Sequence, residues 1–287
     1  MRLLLPDAEV VSYSAYGLTR RFPAMGDLVR ALSPFDLVFA TAFAAPFRDR
    51  GTFETLRGAV RLVPIPTIVF PAFHPDIVYV GDESDPTGRG FVRGPVGTYH
   101  SALALFAFLE GYTVERALRL FDKDVYRLLG YFDLWDASTD TLLRLGRDAD
   151  YDLSGELMRW ARRGAFMHVI NHPKMYVACD LARGLLGKAG IPFADCDLDS
   201  YAADEILRLG SWPVYGAVAE QFGVRGGETF LLPATKAEPP RTLGLRPFLE
   251  ASFAAYRAEK PGRLRNDRVE LWRGSDSVKA TLSDLTR

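Results

Sequence analysis

"RGPVGTYHSALALFAFLEG", residues 93–111, sets the terms for reading the whole chain. A turn rich in Gly and Pro leads into Tyr99-His100 and then into an unbroken apolar run. The spacing predicts a helix from Tyr99 to Glu110 that is apolar on every side, and a helix of that kind is buried. Its apolar run, Ala102 to Leu109, is far below the roughly 20 residues that span a bilayer. It therefore belongs to the core of a globular protein, with the Gly-rich turn as its entry.

Upstream of this junction, short apolar runs alternate with turns. "AEVVSYSA" (8–15), "FDLVFAT" (35–41) and "DIVYVGD" (76–82) read as strands, "RLVPIPTIVF" (61–70) as a Pro-broken extended segment, and "AMGDLVRALS" (24–33) as a short helix. Val- and Phe-rich runs without clean alternation suit parallel strands covered on both faces. The expected fold class is α/β, a Rossmann-like three-layer parallel sheet with a large helical insertion or extension, with ligands at the carboxyl ends of the strands. Downstream, residues 98–190 read as mainly helical, with Pro173 at a first helical position behind an Asn171 or His172 cap. A single domain over residues 1–262, sheet-forming over 1–97 and mainly helical over 98–262, is followed by a charged tail at 263–287.

Composition narrows the function classes. The 287 residues are 48 % hydrophobic and 25 % charged with a formal charge of −1, so the molecule as a whole offers no attraction to nucleic acid or to an anionic membrane. Any anion site has to be local. Two cysteines, Cys179 and Cys196, cannot form a disulfide framework, and no Cys/His cluster has metal-ligand spacing. The expectation is a cytoplasmic protein with no membrane span and no metal.

Two loop-to-helix junctions carry the candidate chemistry. At the first, Arg89 and Arg93 flank a loop with Gly94 and Gly97. Free amides at the helix start, close backbone approach and guanidinium groups would suit a phosphate or carboxylate. His100 would stand at its lip, kept neutral by the helix dipole. The bland alternative is a turn with a packed histidine. At the second, "FMHVINHPKMY" (166–176), Lys174 at a helix start runs against the dipole preference and makes sense beside an anion. His172 and Asn171 stand next to it, whereas His168, inside an apolar run, reads as a core histidine. Arg162 and Arg163 end the preceding helix, either as dipole partners or as an extension of the positive edge. Asp82, after a strand, could orient a histidine or a sugar hydroxyl, or close an Asx turn. Neither cysteine reads as a nucleophile, and no GxSxG elbow occurs.

"FHPDIVYVGD", "GPVGTYHSALALFAFLEG", "VYRLLGYFDLWD", "RWARRGAFMHVINHPKMYVACDLARGLL" and "WPVYGAVAEQFG" together resemble the WcbI family of capsular polysaccharide biosynthesis proteins, from about residue 9 to about residue 223. The resemblance implies an α/β protein that binds coenzyme A and acts as an acetyltransferase on capsule sugar. Acetyl-CoA and a sugar or polysaccharide acceptor are then the expected partners. Coenzyme A brings a pyrophosphate and a 3′-phosphate, matching the local anion sites: Arg93, Gly94, Gly97, Tyr99, Arg162, Arg163, Asn171 and Lys174 would hold the coenzyme. His100 or His172 would be the general base, oriented by Asp82. The family's Gly-Asn-Cys-Gln turn, with its suspected catalytic cysteine, has no counterpart here, and "MRLLLPD" resembles the end of the helix that follows that turn. An esterase of the SGNH type and a non-catalytic coenzyme A-binding remnant are the alternative readings.

Overall fold

The computed structural model describes residues 1–14, 17–43, 47–82, 90–194, 196–234 and 239–287. The chain divides into two compact units, the first made of Met1–Ile68, Thr141–Met158 and Met175–Ala203, the second of Val69–Asp140, Arg159–Lys174 and Asp204–Arg287.

In the first unit, β1 (Val38–Thr41) and β2 (Leu62–Ile65) pair in parallel, from Val38↔Leu62 to Thr41↔Ile65. Parallel partners require a crossover, and the helix Phe53–Ala59 supplies part of it. Leu56 of that helix packs with Met25, Leu28 and Leu32 of the helix Met25–Leu32, in a cluster completed by Leu18, Phe22 and Phe47. The Met25–Leu32 helix starts on Ala24, which has no side-chain oxygen to cap it. Asp49 takes over this role, accepting from the amides of Met25 at 2.9 Å and Gly26 at 3.1 Å. These backbone donors hold the Asp49 carboxyl below its ordinary range. A second cluster joins Leu4 to Cys179, Ala182 and Leu186 of the helix Met175–Lys188. Burial raises the Cys179 thiol, which makes it a packing residue.

In the second unit, β3 (Ile77–Tyr79) pairs antiparallel with β4 (Tyr99–Ser101), which runs directly into the helix Ala102–Leu109. β5 (Met167–Val169) turns back on β6 (His172–Pro173) through Ile170 and Asn171, and a two-residue connection can only join antiparallel strands. β7 (Phe230–Leu231) pairs antiparallel with β8 (Thr242–Leu243). Phe70, Phe73, Trp135, Phe166 and Phe222 form an aromatic cluster beside these pairs.

The α/β class is therefore right, but a three-layer parallel sheet does not form among the described residues. Each sheet has two strands and only β1–β2 is parallel. Residues 8–14, expected as a strand, stay irregular, because Val11 faces solvent while Tyr13 packs edge-on against Phe22. The tail at 263–287 forms the helices Asp267–Gly274 and Asp276–Leu285, with Val269 and Leu282 fully buried.

Asp76 is the polar centre of the second unit and is wholly inaccessible. Its Oδ1 accepts from the Leu103 amide at 3.0 Å and the Tyr131 hydroxyl at 2.8 Å; its Oδ2 accepts from the Tyr215 hydroxyl at 2.9 Å. Ser101 supplies a fourth donor. Its backbone carbonyl accepts from Ala102 at 2.9 Å. Burial raises the Asp76 carboxyl, and these donors oppose the shift. Asp76→Ala would strand three buried hydroxyls and a helix-start amide, and is expected to cost about 3 kcal/mol or more of unfolding free energy in a urea titration. A loss below about 1 kcal/mol would show that these donors find other partners.

Candidate functional site

Alternation along β4 sends its side chains two ways. His100 turns into the core, where Nδ1 lies 3.1 Å from the Tyr256 hydroxyl and Nε2 lies 3.0 Å from the Val92 carbonyl. It is 1 % exposed, and burial lowers its pKa to about 4. Gly94 exists to make room for this ring, because a Cβ there would come 2.8 Å from the imidazole Cε1. The Gly94 amide donates to the Gly97 carbonyl at 2.7 Å, closing a turn in which Gly97 has φ +68°.

The first junction is thus a correction to the expected phosphate cradle. The Ala102–Leu109 helix starts three residues later than expected, and its first amides are taken by the Asp76 carbonyl, the Asp76 carboxylate and the Ser101 hydroxyl. No amide is left for an anion at that helix start, and His100 has neither access nor a spare ring nitrogen. The second junction differs as well. Pro173 lies in β6, where a missing N–H is harmless, and the helix starts at Met175.

Tyr99 points the other way and reaches the second junction. Its hydroxyl donates to Asn171 Oδ1 at 2.6 Å and lies 3.2 Å from His172 Nε2. Asn171 Nδ2 in turn donates to the Tyr79 hydroxyl at 3.1 Å, and Tyr79 stacks on Phe91. With Asn171 oriented by this network, the single Tyr99 proton is spent on Asn171. In that orientation the Tyr99 oxygen accepts from His172 Nε2–H, the tautomer that leaves Nδ1 with a bare lone pair. That Nδ1 atom is buried and has no hydrogen-bond partner. Burial lowers the pKa of His172, so the ring is neutral near pH 7. A neutral imidazole with an unused lone pair is a proton acceptor, but this Nδ1 is covered by protein atoms and meets a substrate only when the side chains over it move.

Cationic and acidic groups stand close by. Burial lowers the Lys174 pKa against the opposing pull of Asp204. Asp204 Oδ2 lies 2.7 Å from His168 Nε2, and its Oδ1 accepts from the Leu207 amide at 3.1 Å. His168 is 5 % exposed, and burial lowers its pKa although Asp204 pulls it upward. His74 is buried with Nε2 3.1 Å from the Trp212 carbonyl, and its pKa falls to about 3.

Of the expected site residues, the structure brings together Tyr99, Asn171 and His172, with Lys174 two residues further along the β5–β6 turn. Arg93, Arg162 and Arg163 are exposed. Asp82 lies near Gly90, its amide 3.3 Å from the Gly90 carbonyl, and the hydrogen bonds of His100 and His172 go to other groups. Arg89 lies outside the described residues. Tyr79 and Asp204 are additions, and His168 is buried, as its apolar run led one to expect. The β3–β4 pairing carries the signal for Tyr79, which sits directly opposite Tyr99. Asp204 is 36 residues from His168 and has no local signature. Among the described residues, no helix is long and apolar enough to cross a membrane and no group of side chains is set to hold a metal.

The fold and site define a mixed α/β protein with a half-buried Tyr-Asn-His cluster at a tight β-turn. The family model for the polysaccharide biosynthesis enzyme WcbI matches residues 25–194, and the chain belongs to that family. A solved structure of WcbI, described as a novel polysaccharide biosynthesis enzyme in its native form without a disulfide bond between coenzyme A and a cysteine, shares the fold. The TM-score is 0.59 at 14 % identity, over 98 % of this chain and 91 % of that one. No curated protein matches the sequence.

The buried imidazoles predict a direction for acid sensitivity. A histidine whose folded pKa lies below its unfolded value binds its proton first in the unfolded chain, so stability is complete above about pH 6.5 and falls on acidification. For His100 this window runs from 6.5 down to about 4. In chemical denaturation at pH 6.5 and pH 4, His100→Gln should lose less stability than the parent, by about 3 kcal/mol. Equal losses in both proteins would rule out a neutral buried His100 as the cause.

Proposed function

We propose that this chain is a coenzyme A-dependent acetyltransferase acting on a polysaccharide or its sugar precursor, with His172 as its base. The observation that carries this reading is the bare, buried Nδ1 of His172, held by the Tyr99–Asn171–Tyr79 network in a member of a polysaccharide biosynthesis family. Coenzyme A figures in the description of the WcbI structure that shares this fold.

In this reading the side chains over His172 Nδ1 move aside when substrate binds, and Nδ1 receives the proton of the acceptor hydroxyl as its oxygen attacks the thioester carbonyl of acetyl-CoA. The carbon–sulfur bond breaks, and His172 returns the proton to the departing thiolate. Tyr99 keeps the ring in the tautomer with Nε2–H throughout, and Asn171 holds Tyr99. Lys174 is short of hydration and gains by meeting a phosphate oxygen. The exposed guanidinium groups of Arg93, Arg162 and Arg163 are further candidates for the coenzyme's phosphates. Gly94 and Gly97 leave the site, since their turn serves His100.

Coenzyme A and acetyl-CoA should raise the melting temperature of the protein, and Lys174→Ala should reduce that shift. His172→Gln should keep the shift but lower acceptor-dependent release of free coenzyme thiol by about 100-fold or more, the usual contribution of a general base. Absence of any thermal shift would overturn the coenzyme assignment. A shift without acceptor-dependent thiol release would leave a coenzyme-binding protein and remove the transferase reading.

A further inference from the structure

A cavity of about 260 Å³ in the second unit is lined by Phe121, Tyr126, Tyr215 and Phe230 together with Asp122 and Glu228. None of these residues belongs to the Tyr99–His172 cluster. The geometry points to a binding site for a neutral saccharide ring in this cavity, built from aromatic edges, the Tyr126 hydroxyl and the carboxylates of Asp122 and Glu228.

Some of the aromatic faces here are already occupied. Tyr126 stacks between Tyr131 and Tyr215, at centroid distances of 5.5 and 5.7 Å and interplanar angles of 22° and 19°. Phe230 stacks on Phe248 at 3.9 Å and 5°. Phe121 meets Tyr215 edge-on at 85°. Stacking takes faces of Tyr126, Tyr215 and Phe230, which leaves their edges, the positive part of the ring quadrupole, among the surfaces open to a ligand. A phosphate or carboxylate is disfavoured by Asp122 and Glu228. A neutral, hydroxyl-rich ring suits both features, because its hydroxyls can donate to the carboxylates while its oxygens meet positive ring edges.

The polar groups are also available. Tyr126 is 3 % exposed, and its hydroxyl makes no hydrogen bond among the described residues. Asp122 Oδ1 accepts from the Asp124 amide at 2.8 Å, leaving Oδ2 for a ligand. Glu228 is exposed and makes no hydrogen bond or ion pair among the described residues. Lys123 at the rim is committed to Glu220 at 2.9 Å. The cavity also adjoins the structural centre, since its wall residue Tyr215 donates to Asp76. Identifying the ligand as a sugar leans on the polysaccharide reading above, but the test requires neither coenzyme nor turnover.

Saturation-transfer NMR on the full chain without coenzyme, using the methyl glycosides of glucose, galactose, mannose and N-acetylglucosamine, should detect at least one binder. Glu228→Gln should weaken that binder by about tenfold, as expected for a lost charge-assisted hydrogen bond. Tyr126→Phe, which keeps the stack and removes only the hydroxyl, should weaken it by about fivefold. The proposal is overturned if none of the four glycosides binds, if both variants bind as the parent does, or if choline or inorganic phosphate displaces the glycoside. Thermal shifts with coenzyme A are read separately, so loss of one reading leaves the other standing.

Discussion

Much of the second unit depends on one buried carboxylate. Asp76 has no solvent to hydrate it, so the fold has to bring donors from scattered parts of the chain. It finds them at Ser101, Leu103, Tyr131 and Tyr215. Satisfying it fixes the entry of the Ala102–Leu109 helix, and with it the register of β4 on β3. That register decides which of two adjacent residues, Tyr99 or His100, faces the core.

The consequence is a division of labour between neighbours. His100 becomes a core residue with both nitrogens engaged, and Gly94 yields space for its ring. Tyr99 becomes the link to the β5–β6 turn, where Asn171 and His172 meet it. The turn needs only Ile170 and Asn171 to reverse the chain, so the side chains at 171, 172 and 174 are held by backbone pairing on both sides. A base placed on such a turn is positioned by the scaffold.

The network around His172 shows how a neutral hydrogen-bond chain can do what a carboxylate does elsewhere. Tyr99 spends its proton on Asn171 and so dictates where the histidine proton resides. No charge is needed next to the ring, and burial keeps its pKa low. Asp204 works with His168 and tempers the desolvation of Lys174. The acidic and basic groups of this region are thus sorted into a neutral cluster and a charged one.

Sequence patterning by itself determined the α/β class, the buried Ala102–Leu109 helix, the extended pieces that became β1 to β3 and the pairing of interest in Asn171-His172 with Lys174. These are local properties, set by apolar runs, turn residues and helix-end chemistry within a few positions. Only the tertiary structure decided that the strands pair mostly antiparallel, that His100 is sealed while His172 keeps a bare nitrogen, and that Tyr79 and Asp204 join their partners. Those outcomes depend on strand register and on contacts across tens of residues. A one-residue change of register exchanges core and site faces while leaving the local pattern untouched.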